Sequence, residues 1–141
     1  MTAHQCFVDS NIIIYAHDER EKIKNPIAQK HLSNLWASSP LYPFISIQVL
    51  QECFATFIRK KVPFSHAHGI IELYSQWNVI DNDRRLLLEG MRIQHHYQIS
   101  IWDALIVAAA KKANASHILS ENLNVEQKYE GIKIINPFID H

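Results

Sequence analysis

Three acids in this chain interrupt stretches that are otherwise apolar or helical. Asp9 ends the apolar run Cys6-Phe7-Val8; Ser10 and Asn11 follow it, and then "IIIYA" through Ala16. At a strand-to-helix junction such an acid reads as an N-cap or turn residue, and equally as a group delivered to a site. Glu52 lies in "SIQVLQECFATFIRKK". At about 100° per residue, Leu50, Phe54 and Phe57 share one side of that helix. Glu52 points nearly opposite, in a stripe with Gln48, Ala55 and Arg59, so periodicity reads it as solvated. Asp103 lies in "SIWDALIVAAAKKAN", near the start of a helix apolar almost all round. A helix of that kind is usually buried, and a charge on it needs a partner or a metal. Ser100 and Asp103 also form a capping box of the S-x-x-D kind. The two readings are compatible. The stretch "HILSENLN" adds Ser120, Glu121 and Asn122, a polar turn after an apolar run.

Carboxylates converging on one point repel one another unless a hard cation sits between them. Mg²⁺ and Mn²⁺ take oxygen ligands, keep several waters and favour phosphate substrates. Such an ion lowers the pKa of its bound water and clamps an in-line displacement at phosphorus.

Several elements must position these acids. "CFV" at 6–8 reads as a strand feeding a short helix to about residue 17. "NPIAQKHLSNLWASS" opens a helix with Asn25 as N-cap and Pro26 at the first helical position. "FISI" at 44–47 reads as a second strand, and Ser46 caps a helix running to about Lys60. Ser65 opens a helix through about Gln76, whose Ile70, Tyr74 and Trp77 suit an interface as well as a core. "NVI" at 78–80 is a third strand, residues 82–96 a helix, and Ser100 caps another over 101–114. "HILS" at 117–120 and "IKII" at 132–135 complete the strands. Strands alternating with helices predict a parallel sheet covered on both faces. In such sheets reacting groups gather beyond the C-terminal ends of the strands. Asp9 and the Ser120 turn lie at such ends.

The composition sets the outer bounds. A length of 141 residues suits a single domain spanning 1–141. Hydrophobic residues make up 48% and charged residues 20%, an ordinary globular balance. With 14 basic and 14 acidic residues the formal net charge is zero, so global charge does not announce a nucleic-acid partner. "RKK" at 59–61, "RR" at 84–85 and "KK" at 111–112 read first as solvated helix faces. No apolar run approaches the roughly 20 residues needed to span a bilayer. "MTAHQC" lacks the features of a secretory signal, and a cytoplasmic location is expected. Cys6 and Cys53 sit in apolar settings and read as buried thiols, not a disulfide. No Cys/His spacing matches a zinc site.

The motifs together resemble the PIN-domain family, in particular its VapC-type toxin ribonucleases. "FVDSNIIIYA" resembles the opening D-[ST]-N-[IVL] with its apolar tail. "SIQVLQECFATFIRKK" is similar to the second segment, "SIWDALIVAAAKKANASHILSENLN" to the third, and "GIKIINPF" to the last strand. The match runs through nearly the whole chain in order. It implies a three-layer α/β/α sandwich with a central parallel sheet. It implies metal-dependent endonucleolytic cleavage of RNA, leaving a 5′-phosphate and a 3′-hydroxyl. Asp9, Glu52 and Asp103 would hold Mg²⁺ or Mn²⁺, with Ser10, Asn11, Ser120, Glu121 and Asn122 in support. A cognate antitoxin and a homodimer are the implied partners. One position departs from the pattern: the family's closing turn usually reads [ST]-x-D, and Asn122 stands at the third place. Asn offers a carbonyl oxygen but no charge, which weakens a second metal more than the first. Glu121 and Glu126 are the nearest acids that compensate in principle.

The competing reading is a PIN-like module that binds RNA or protein with a degraded metal site, motivated by Asn122 and the zero net charge. Metal-free cleavage by histidine has only "QHHYQ" at 94–98 to draw on among nine histidines, and that pair reads as a helix surface. A carboxylate-pair glycosidase would need an aromatic-lined sugar cleft that nothing here suggests.

Overall fold

The computed structural model describes residues 2–139. Five short strands form one parallel sheet: β1 (Cys6–Val8), β2 (Phe44–Ser46), β3 (Asn78–Ile80), β4 (His117–Leu119) and β5 (Lys133–Ile135). Their order across the sheet is β3-β2-β1-β4-β5. Six helices connect them: α1 (Ser10–Ala16), α2 (Lys24–Trp36), α3 (Ile47–Arg59), α4 (Phe64–Tyr74), α5 (Arg84–Tyr97) and α6 (Ile101–Lys112). The result is the three-layer α/β/α sandwich that the alternating pattern predicts. No helix among the described residues is long and apolar enough to cross a membrane.

β1 is the central strand. The chain leaves it towards β2 on one side, while β4 pairs with it on the other in the register Val8↔Leu119. Sheets of this kind bind ligands where the strand order reverses, in the crevice beyond the strand ends. Asp9 and Ser120 directly follow the paired residues Val8 and Leu119, so this register sets them side by side. β1 and β4 are buried at every position, as strands covered on both faces must be.

The helix faces follow the apolar spacing. α3 buries Val49, Leu50, Cys53 and Phe57, and Ser46 accepts the Val49 N–H as its cap. α6 buries every residue from Ala104 to Ala110. It packs against α5 where Gly90 faces Leu105; a Cβ at Gly90 would lie 2.6 Å from Leu105 Cδ2. Both cysteines are free and buried. Burial pushes the Cys6 thiol up to about 12 and raises that of Cys53, which leaves both protonated and inert.

Two helix starts differ from the sequence reading. α2 begins at Lys24, after Ile23, and Ile23 makes no side-chain cap. Asn25 instead turns its amide to the end of α1, donating to the carbonyls of Tyr15 (2.9 Å) and Ala16 (3.1 Å). The Tyr15 carbonyl also accepts the Asp18 N–H at 3.2 Å; carbonyls at a helix end call for partners from outside the helix, and that tertiary demand outweighs local capping. α4 begins at Phe64, with Pro63 rather than Ser65 at its start. Ile70, Tyr74 and Trp77 of that segment are buried among core side chains. Their interface reading is therefore set aside.

Candidate active site

Asp9 is only 2% exposed, and two serines hold it. Its Oδ1 accepts the Ser10 N–H at 2.7 Å, and its Oδ2 accepts the Ser120 hydroxyl at 2.8 Å. Ser120 Oγ itself accepts the Asn122 N–H at 3.1 Å, so the hydroxyl proton is committed to Asp9. The Asp9 N–H pairs with the Leu119 carbonyl at 2.9 Å, continuing the β1–β4 ladder by one residue. Burial pushes Asp9 up to about 6, against the pull of the Ser120 and Ser10 bonds. The charges of Glu52 and Asp103 push it in the same upward direction as burial. All three acids therefore share one electrostatic neighbourhood.

Glu52 reaches this neighbourhood from α3. Ser10 Oγ donates to Glu52 Oε1 at 3.1 Å, with Asp9 Oδ1 3.5 Å away. The other oxygen, Oε2, faces Gln48 Nε2 at 3.4 Å, and the same Nε2 donates to the Trp102 carbonyl at 3.0 Å. The stripe read as solvated is thus divided. Ala55 and Arg59 are exposed, Glu52 is half-buried and Gln48 is buried. Gln48 meets the start of α6 through the Trp102 carbonyl, a contact that helical periodicity does not encode. The only local signal for Gln48 was its i,i+4 relation to Glu52. Asp103 is partly exposed near the start of α6. Ser100 accepts its N–H at 3.0 Å, as in the predicted cap. Burial raises the Asp103 carboxyl, and hydrogen bonding with Ser100 partly opposes this.

The closing turn is divided as well. Ser120 joins Asp9, but the Glu121 carboxylate is taken by the Tyr15 hydroxyl at 2.9 Å and Lys24 Nζ at 2.6 Å. The Glu121 N–H donates to Asn11 Oδ1 at 3.1 Å, so Asn11 positions the turn and not an acid. Asn11 Nδ2 is buried and has no partner among the described residues. Asn122 contributes its backbone N–H to Ser120 and is exposed, as is Glu126.

Carboxylate oxygens are the hard donors that Mg²⁺ or Mn²⁺ takes, and Mg²⁺ is commonly held by one or two carboxylates plus waters. Asp9, Glu52 and Asp103 fit that donor chemistry. They are not drawn into a closed cluster: among the described residues, no three His, Cys, Asp or Glu side chains stand close enough to hold an ion together.

The PIN-domain family model matches residues 6–130. The chain belongs to the PIN-domain family. Solved structures share this fold. Mycobacterium tuberculosis VapC20, a sarcin–ricin loop cleaving toxin, is 21% identical with a TM-score of 0.61, over 83% of this chain and 91% of that one. DNA-bound VapBC from Salmonella typhimurium is 18% identical with a TM-score of 0.66, over 97% and 99%. VapBC2 from Rickettsia felis, bound to a promoter DNA fragment, is 18% identical with a TM-score of 0.67, over 93% and 97%. At those identities the likeness speaks for the fold. The curated proteins contain no significant match to the sequence. Within this PIN domain Asp9 lies at the sheet's switch point between β1 and β4, and Glu52 is joined to it through Ser10.

The candidate cations differ in how free they are. Lys60 pairs with Asp18 at 2.9 Å. Lys111 pairs with Glu89 at 2.8 Å and Glu130 at 3.2 Å, and Lys112 lies 3.6 Å from Asp83. Arg59 reaches only the Thr56 hydroxyl at 3.5 Å among the described residues.

Proposed function

We propose that this PIN domain is a divalent-metal-dependent endoribonuclease of the VapC toxin type. It hydrolyses RNA phosphodiester bonds with water and leaves a 5′-phosphate and a 3′-hydroxyl. The observation that carries this reading is the buried Asp9, held by Ser10 and Ser120 and sharing its electrostatic surroundings with Glu52 and Asp103. Asp9, Glu52 and Asp103 are the proposed ligands of Mg²⁺ or Mn²⁺. A bound ion of that kind supplies Lewis acidity towards phosphate and lowers the pKa of its water. The serines keep the Asp9 lone pairs oriented, and Ser10 couples its position to that of Glu52. Asp9, at about 6, is mainly ionised at neutral pH and available to a cation. RNA as substrate, and a cognate antitoxin and a second copy of the chain as partners, follow from the VapC resemblance. The cleavage of the sarcin–ricin loop by the structurally similar M. tuberculosis toxin makes a structured RNA loop the first substrate to try.

The test is cleavage of total cellular RNA with and without Mn²⁺, using the natural protein and Asp9→Asn, with product ends mapped. Metal-dependent cleavage that Asp9→Asn abolishes supports the reading; full activity in Asp9→Asn sinks it.

A second reading, a non-catalytic binding module, draws on the open spacing of the acids and on Glu121 being engaged by Lys24. Calorimetry separates the two. Absence of Mn²⁺ binding at millimolar metal favours the module.

A further inference from the structure

We infer that Gln48 is a positioning residue for the acid site, tying the Glu52 carboxylate to the backbone beside Asp103. The inference rests on the nuclease reading above.

Gln48 precedes Glu52 by one helical turn on α3 and is 5% exposed. Its two close partners are both acceptors, a carboxylate oxygen and the Trp102 carbonyl. Only the NH₂ end of the amide can face them, and this fixes which way the side chain is turned. The cost of that orientation is visible. Gln48 Oε1 is buried with no donor among the described residues. A buried polar atom left unpaired is unfavourable, and a methionine would fill similar volume without it. Packing therefore does not account for an amide at this position; the two N–H bonds do.

Those bonds complete a chain across five elements. Ser120 at the end of β4 holds Asp9 at the end of β1. Ser10 on α1 links Asp9 to one oxygen of Glu52 on α3, and Gln48 holds the other oxygen. Through the Trp102 carbonyl, Gln48 then reaches the residue that precedes Asp103 on α6. Without Gln48, no hydrogen bond among the described residues joins the Glu52 side of the site to the Asp103 side. The contact to Glu52, at 3.4 Å, is the longer of the two. Gln48 adds no charge, so it restrains Glu52 without competing for a cation.

The test uses the full chain with Gln48→Met. Mn²⁺ affinity is read by calorimetry, kcat and KM on RNA by cleavage, and thermal unfolding without metal as a control. Groups that orient metal ligands typically matter by roughly 10–100-fold in metal affinity or activity. The expected result is a loss of that size in Mn²⁺ affinity and kcat, with KM for RNA and the unfolding midpoint of the metal-free protein kept. Affinity and kcat within twofold of the natural protein overturn the inference. If Gln48→Met does not fold, Gln48→Glu keeps the heavy-atom outline and removes both N–H donors. A lowered kcat there supports the inference and an unchanged kcat overturns it. If the natural protein binds Mn²⁺ but cleaves no RNA, the nuclease reading fails alone, and the affinity comparison still judges Gln48. If it binds no Mn²⁺, both fail.

Discussion

The Ser120 hydroxyl donates to Asp9 Oδ2 at 2.8 Å, joining residues 111 positions apart through adjacent strand ends. Ser120→Ala removes that donor from a buried carboxylate and strips the Asn122 N–H of its acceptor. Leaving the buried carboxylate oxygen unpaired costs about 1–3 kcal/mol, while the N–H of the exposed Asn122 can turn to water. Urea unfolding of the metal-free variant should show a loss of that order, and RNA cleavage should fall with it. An unchanged midpoint would show that water replaces the hydroxyl fully.

Asp9 carries a distinct pH signature. Its folded pKa of about 6 lies above the value of about 3.9 for an unfolded Asp. The folded state therefore keeps this proton longer than the unfolded state does. The associated stability is present in full below about pH 4 and is lost as pH rises through about 6. A gap of about two pH units corresponds to about 3 kcal/mol. In chelator, Asp9→Asn should match the natural protein near pH 4 and exceed its stability at pH 7 and above. Equal stability of the two across that range would contradict the burial assigned to Asp9.

Asp18 behaves in the opposite sense. Its hydrogen bonds from Lys60 and Arg20 hold it down at about 2, below its unfolded value. The stability it contributes is present above about pH 4 and is lost as pH falls through about 2. Lys60→Met should therefore destabilise the protein at neutral pH, with the deficit shrinking in acid. Chemical denaturation at pH 7 and pH 3 checks the sign.

Arg59 makes no ion pair among the described residues, unlike Lys60, Lys111 and Lys112. Arg59→Ala should weaken RNA binding and lower the slope of log affinity against log salt by about 1, the mark of one lost phosphate contact. Folding stability should stay within about 0.5 kcal/mol. An unchanged salt slope would remove Arg59 from the RNA path.

Gly90 faces Leu105 across the α5–α6 contact. Alanine is the better helix former by about 1 kcal/mol. Its methyl would meet Leu105 Cδ2 at 2.6 Å, and overpacking of that kind costs about 1–3 kcal/mol. Gly90→Ala should therefore be neutral to destabilising, read from its thermal midpoint. A clear gain in stability would show that Leu105 gives way freely.

The sheet was legible because each strand is a short apolar run bounded by polar residues, and each later helix carries a side-chain cap or an apolar stripe. Ser46 and Ser100 cap as their spacing predicts. Asp9 stood out by interrupting such a run, and Asp103 by sitting on an apolar helix. Gln48 and Glu52 were misread for a physical reason. Periodicity locates the face of a helix that meets the main core, but Gln48 is engaged by the Trp102 carbonyl at the start of α6. Asn25 escapes local pattern in the same way, because the carbonyls it serves belong to another helix. Residues whose partners lie across the fold are the ones that local pattern cannot place.

The central position of β1 also bears on synthesis. A chain emerging from the ribosome presents Asp9 early, with Glu52 and Asp103 after it, yet the hydroxyl that orients Asp9 and the strand that walls it in come only with residues 117–120. Until β4 docks beside β1, Asp9 lacks its Ser120 partner and the strand that flanks it on that side. A nascent or truncated chain ending before Ser116 would thus lack an assembled site.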